Sequence, residues 1–287
     1  VDGQTTSKAE LAQLMVGREV LFRIQKKPAE PNEPVLTIDQ LSCLNDRGLP
    51  ALDRLSLEVR AGEVVGIAGV AGNGQTELAQ VITGQRPAVK GSISVQGDNV
   101  TNQRALTTID KGVAYIPADR NGVGSSPNLS LTDNLILKSY RQEPIGAGWR
   151  VNHTLATEQA AKLIDQFDVK TPSTETPARL LSGGNLQKLI LAREISPQPS
   201  LIIAVYPVRG LDVGAIEAIH QMLIDERDRG AGILLISEDL DELLSLSDRL
   251  VVMFDGQIMG EVPPQDDQIE QIGLMMAGTK AGKESEA

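Results

Sequence analysis

The chain has 287 residues, a formal net charge of −11, 41% hydrophobic residues and only 2% aromatic ones, enough for one large core or two small ones built of Leu, Ile, Val and Ala. No apolar run approaches the roughly twenty residues of a membrane span, and the acidic balance argues against nucleic acid as a partner. The single cysteine, Cys43, excludes an internal disulfide framework or a cysteine-built zinc site and fits a reducing cytoplasm.

In chain order, residues 10–17 come first; they are similar to 271–278, both reading as short apolar helices stopped by glycine. The basic pair Lys26 and Lys27 reads as a solvated turn, and the proline-punctuated residues 28–34 as an extended, solvated linker. Strands are expected at 35–38, 55–59 and 93–95. In the last two, Leu55, Leu57 and Val59, then Ile93 and Val95, alternate with polar residues, the period of a half-buried antiparallel sheet. Adjacent Val35 and Leu36 break that period. Between these runs, the apolar stretch 64–68 leads into Gly69, Val70, Ala71, Gly72, Asn73, Gly74, Gln75 and Thr76, then a helix carrying Leu78, Val81 and Ile82. The spacing is that of the phosphate-binding pattern G-x-x-x-x-G-K-S/T, with Gln75 where lysine is required.

A strand at 113–116 breaks at Pro117, and a loop-rich region with helices at 131–140 and 153–167 follows. Leu181, Ser182, Gly183, Gly184, Asn185, Leu186, Gln187 and Lys188 then open a helix. A serine and two glycines at its start leave backbone N–H groups bare, which suits a phosphate. The buried-strand run 201–205 precedes Tyr206, Pro207, Val208, Arg209, Gly210, Leu211 and Asp212. A second such run, 233–236, enters Ser237, Glu238 and Asp239. Runs 249–254 and 257–262 flank Asp255-Gly256, a favoured hairpin turn, and the small, charged tail 280–287 is expected to be disordered.

A phosphate loop, a Ser-Gly-Gly loop and two apolar strands with polar ends come here in the order of the nucleotide-binding domain of ABC transporters, which the chain resembles over about 35–278. The Ser182 loop and the run from Arg209 to Ala215 look most like the second such domain of tandem ATP-binding subunits serving sugar- and nucleoside-type importers. The resemblance implies an α/β P-loop NTPase fold with an antiparallel β layer and a helical signature subdomain over about 119–195, facing a membrane permease. Residues 1–34 would be the tail of a preceding homologous domain plus a linker. The upstream half of the same polypeptide would then be the sister domain, and 279–287 a tail. The location implied is cytoplasmic, peripheral on the inner face of the membrane through permease subunits.

The resemblance also implies ATP and Mg²⁺ as cofactors, with Gly69, Gly72, Asn73, Gly74, Gln75, Thr76 and Glu77 around the nucleotide. Several expected groups are missing. Gln75 hydrogen-bonds but carries no charge, where one unit pair at roughly 4 Å and an effective dielectric near 20 is worth about 4 kcal/mol before desolvation. Thr76 keeps a hydroxyl for a metal, whereas Glu77 repels phosphate. Val205 and Tyr206 stand where the metal-holding aspartate and the water-polarising glutamate belong. Ala118 replaces a glutamine, and Glu238 a switch histidine. Together these make the site hydrolytically deficient, with Mg²⁺ weak or absent there. Ser182, Gly183, Gly184, Asn185, Gln187 and Asp212 match the family pattern and imply that the chain completes a partner's ATP site. Two rivals remain: an active ATPase with a non-standard base such as Glu238, and a non-transport ABC protein.

The remaining residues have plainer readings. His153 and His220 stand without metal-ligand neighbours and read as surface or interface residues. Glu238 to Glu242 reads as a solvated helix start, and Met275 and Met276 as core. Trp149 is a candidate partner anchor.

Overall fold

Residues 64–68, 201–205 and 232–236 are apolar throughout, with no polar face to turn to water. In the computed structural model, which describes residues 26–147 and 150–280, they lie side by side as buried strands. In chain order the elements are β1 (Pro34–Leu44), β2 (Pro50–Arg60), β3 (Val64–Ala68), α1 (Gln75–Ile82), β4 (Lys90–Val95), β5 (Asp98–Asn99), α2 (Ala105–Asp110) and β6 (Val113–Ile116). There follow α3 (Leu131–Leu135), β7 (Gly146–Ala147), β8 (Arg150–Val151), α4 (His153–Gln166), α5 (Gly183–Ile195), β9 (Leu201–Val205) and α6 (Val213–Asp228). The chain continues with β10 (Gly232–Ile236), α7 (Leu240–Leu246), β11 (Arg249–Phe254), β12 (Gln257–Val262) and α8 (Ile269–Met276).

The main sheet has the order β12-β11-β3-β10-β9-β6, parallel except for β12. A parallel sheet covered on both faces has no solvated side, which is why its central strands carry apolar runs rather than alternation. Their side chains alternate between two cores. Val64, Ile202, Ala204, Ile233 and Leu235 meet Leu186, Leu189, Ile190, Ile219 and Leu243 of α5, α6 and α7. Val65, Ile67, Ile203, Val205, Leu234 and Ile236 meet α1 and the second sheet, whose order is β2-β1-β4-β5. The expected α/β architecture with an antiparallel layer is therefore present. At the β11–β12 turn, Asp255 and Gly256 both have positive φ, 44° and 72°, the twist that a two-residue hairpin needs.

The antiparallel strands run further than their apolar cores: β1 continues to Leu44, and β2 begins at Pro50, where exposed residues hide the pattern. A register shift between Pro34 and Leu36 lets both Val35 and Leu36 be buried, which accounts for the broken alternation. The helix expected at 131–140 is α-helical only to Leu135. Beyond it the N–H groups of Ser139 and Tyr140 both return to the Ile136 carbonyl, at 2.9 and 2.8 Å, in turns that carry Lys138 to the buried Glu194 carboxylate. The helix α4 starts where expected, with the Asn152 side chain accepting the Leu155 N–H, and stops one residue early.

The proline-punctuated residues before β1 are mostly exposed, but Lys26, expected in a solvated turn, is held against the fold. Lys26 Nζ donates to the Leu246 carbonyl at 2.9 Å, to the Ser247 carbonyl and to Asp248 Oδ1 at 3.0 Å. Arg227, 1% exposed, donates to the Lys27 carbonyl and to Asp248, both at 3.0 Å. Further along, the Asn32 N–H donates to the Ala61 carbonyl at 2.9 Å. Burial pulls the Lys26 ammonium below the usual lysine range, although Asp248 opposes it. The expected repeat at 10–17, the partner anchor Trp149 and nearly all of the expected tail lie outside the described residues.

Candidate functional site

At the end of β3 the chain makes a tight loop that only glycine allows at its last position. Gly74 has φ 102°, and a Cβ there would stand 2.3 Å from the Ala51 carbonyl oxygen. Gln75 opens α1 with 2% exposure, and its side chain folds back under the loop. Its Nε2 donates to the Val70 carbonyl at 2.9 Å, and its Oε1 accepts the Asn73 N–H at 3.1 Å. A neutral bridge thus stands in the lysine position and uses one of the amides a phosphate would need. Asn73 fastens the loop to the β11–β12 turn, taking N–H groups from Asp255 at 2.9 Å and Gly256 at 3.0 Å. Gly69 is buried, Gly72 and Thr76 are exposed, and Glu77 is half-buried.

The end of β9 brings Val205 and Tyr206 to the same neighbourhood. Val205 is 1% exposed and belongs to the core. Tyr206 has φ 48°, a rare conformation for a bulky side chain, and its N–H donates to the Ile236 carbonyl at 2.8 Å. Its ring lies 5.8 Å from the Arg209 guanidinium carbon. Burial pushes the phenol pKa up, and the Glu238 carboxylate, hydrogen-bonded to it, and the Glu77 charge add to the shift against Arg209. The phenol stays protonated at neutral pH and cannot serve as a base. Glu238 itself is exposed beyond β10, and Ala118 is exposed in the loop after β6. Gln75, Val205 and Tyr206 therefore supply no charge clamp and no metal carboxylate. The backbone amides suit a phosphate, and the Thr76 hydroxyl is a possible metal ligand.

The Ser182 loop is built differently. Ser182 caps α5, its hydroxyl accepting from the Asn185 N–H at 3.4 Å and Nδ2 at 3.0 Å, and both Ser182 and Gly183 are exposed. Asp212 caps α6 by accepting the Ala215 N–H at 3.0 Å. The two caps meet: a Cβ on Gly184 would lie 3.1 Å from Ala215 Cβ and 3.6 Å from Asp212 Oδ2. Asn185 also accepts the Lys170 N–H at 2.8 Å. Gln187 departs from its expected place beside the partner's ATP. It is fully buried on the inner face of α5, where its Oε1 accepts from Arg120 Nε at 2.9 Å.

Sequence reasoning missed Arg120, which reaches both Gln187 and the Arg209 carbonyl; its partners lie 67 and 89 residues away in the chain, so no local pattern announces it. His220 is likewise not a free surface residue. Its Nε2 lies 2.9 Å from Glu242 Oε1, and Ser237 Oγ donates to Glu242 Oε2 at 2.5 Å. Within the acidic run, Asp239 caps α7 as a solvated helix start should, but Glu242 is buried because α7 turns that face inward. Met275 sits in the core with Met276 packed against it.

Residues 52–204 match the family model described as ABC transporter. The chain is 47% identical over 280 residues to a glucose import ATP-binding protein of Haloferax volcanii, covering 97% of this chain and 51% of that protein. It is 44% identical over 286 residues to a guanosine import ATP-binding protein of Bacillus subtilis, covering 99% and 56%. The chain thus spans about half the length of the curated relatives it matches. A nucleotide-free ATP-binding cassette from an ABC transporter superposes with a TM-score of 0.69 at 23% identity, covering 84% of this chain and 96% of that one, a likeness of fold. The α/β P-loop NTPase architecture and the family match agree: the chain belongs to the ABC transporter family.

Proposed function

We propose that this chain is the half of an ABC importer's ATP-binding subunit that lends its signature loop to a sister domain's ATP, while its own nucleotide site does not hydrolyse. The sister domain is read as the upstream half of the same polypeptide, and the solute as a sugar or nucleoside, the class named for the relatives that import glucose and guanosine. The helical part, α3 to α5, would meet membrane permease subunits and hold the assembly on the inner face of the membrane. One contrast carries this reading. Ser182 and Gly183 are exposed on a capped helix, whereas Gln75 bridges its own loop and Val205 is core. ATP or ADP would rest on the Gly69–Gly74 amides without a bound metal.

The test uses the assembled importer. Ser182→Arg is expected to abolish transport-coupled ATP turnover, and undiminished turnover overturns the reading. The purified chain should release no phosphate in steady state, with Glu238→Ala as a control for the rival base. Its nucleotide affinity should be the same with and without Mg²⁺, since no carboxylate stands at the end of β9.

A further inference from the structure

Arg120 sits in the loop after β6, half-buried and without the partner such a group normally has. A guanidinium keeps its charge at physiological pH, and a cation withdrawn from water is ordinarily matched by a carboxylate. Arg193 has Glu194, Arg227 has Asp228 and Asp248, and Arg249 has Glu63 and Glu261. No carboxylate among the described residues pairs with Arg120. The adjacent Asp119 instead accepts the N–H groups of Asn121 and Gly122, at 3.0 and 2.9 Å. Burial alone shifts the Arg120 guanidinium, lowering its pKa.

Two neutral acceptors hold the fork in place, Gln187 Oε1 within α5 and the Arg209 carbonyl in the loop before α6. The remaining nitrogen, Nη1, lies 3.8 Å from where a Cβ on Gly183 would stand. The arrangement leaves Gln187 Nε2 buried without a hydrogen-bond partner among the described residues. An orphaned amide is a stability cost, and proteins keep such costs where a site needs them. What it secures here is a positive charge with no carboxylate partner among the described residues, behind the bare backbone of Gly183.

Resting on the reading of the signature loop above, we propose that Arg120 is a binding residue for the partner's nucleotide: its fixed charge beneath Gly183 receives the terminal phosphate of the triphosphate held by the sister domain. Its two hydrogen bonds also tie α5, which the Ser182 loop opens, to the loop before α6.

The experiment measures ATP turnover of the assembled importer against ATP concentration for wild type, Arg120→Lys and Arg120→Gln, with melting temperatures recorded. Loss of a charge-assisted contact predicts that Arg120→Gln raises KM for ATP by about tenfold or more. Arg120→Lys, which retains charge but not the fork, should stay within about threefold of wild type, also by the size of such contacts. Should the glutamine variant not fold, Arg120→Met, which fills the same space, takes its place. Equal KM changes in the lysine and neutral variants, or no change in either, overturn the proposal. Loss of turnover in Ser182→Arg together with an unmoved KM in Arg120→Gln sinks the arginine's role and leaves the signature reading standing. Undiminished turnover in Ser182→Arg sinks that reading first.

Discussion

Glutamine and lysine are close in length but differ by one charge, and at the head of α1 that difference changes what the loop can hold. Gln75 satisfies the Val70 carbonyl and the Asn73 amide, so the loop is hydrogen-bonded within itself. An incoming phosphate must displace a bridge and gains no counter-charge. Gln75→Lys is therefore expected to tighten nucleotide binding by the purified chain at least about tenfold, the scale of one charge-assisted hydrogen bond. It should not restore hydrolysis, because Val205 has no lone pair and the Tyr206 phenol is held protonated by burial and by Glu238. Isothermal titration beside a phosphate-release assay checks both halves. Unchanged affinity would show that the bridge, not the missing charge, governs the loop, and hydrolysis would show that the remaining groups suffice.

Among the elements, the approach to β1 carries an unexpected structural role. Asp248 collects Lys26 Nζ and Arg227 Nη1 on one oxygen, both at 3.0 Å, and the Val64 N–H on the other at 2.9 Å. The carboxylate thus joins the approach to β1, the start of β3 and the end of α6. Neutralising Asp248 removes the one carboxylate beside Lys26 among the described residues and one of two beside Arg227, which keeps Asp228. For partly buried charge-assisted hydrogen bonds the cost is about 1.5–3 kcal/mol. Asp248→Asn should destabilise the chain by that order in denaturant melts and open the Lys26–Lys27 bond to trypsin. The fragment beginning at Lys27, followed by mass spectrometry, measures this, and equal cleavage of wild type would show that the clamp does not hold. None of it was legible beforehand, because Lys26 and Asp248 are 222 residues apart and the local composition reads as a free linker. What was legible is local: the apolar runs of β3, β9 and β10, the Asp255-Gly256 turn and the glycine loops. The candidate site divides the same way. Ser182 and Gln75 stand out by pattern, whereas Arg120, His220 and the burial of Gln187 depend on which distant element packs against them.

At the scale of the molecule, the central strands decide how the chain comes apart. Neighbouring residues of one strand serve different cores: Ile202 faces the helices α5 to α7, and Ile203 faces α1 and the antiparallel sheet, each fully buried. Neither core can lose its packing while β3, β9 and β10 stay ordered for the other, so the two are expected to unfold together. The small cluster of Ile136, Ile145 and Ala156 stands apart from both cores and shares no strand with them. Ile202→Ala and Ile203→Ala should each cost about 2–5 kcal/mol, the range for emptying a buried aliphatic site. Hydrogen exchange resolves where that loss is felt. Amides of Leu57 in β2 and Leu191 in α5 should lose equal protection in either variant, whereas those around Ile136 exchange early in wild type and both mutants alike. A variant that loosened only β1, β2 and β4, leaving Leu191 as protected as before, would mean that the shared sheet does not couple its two faces.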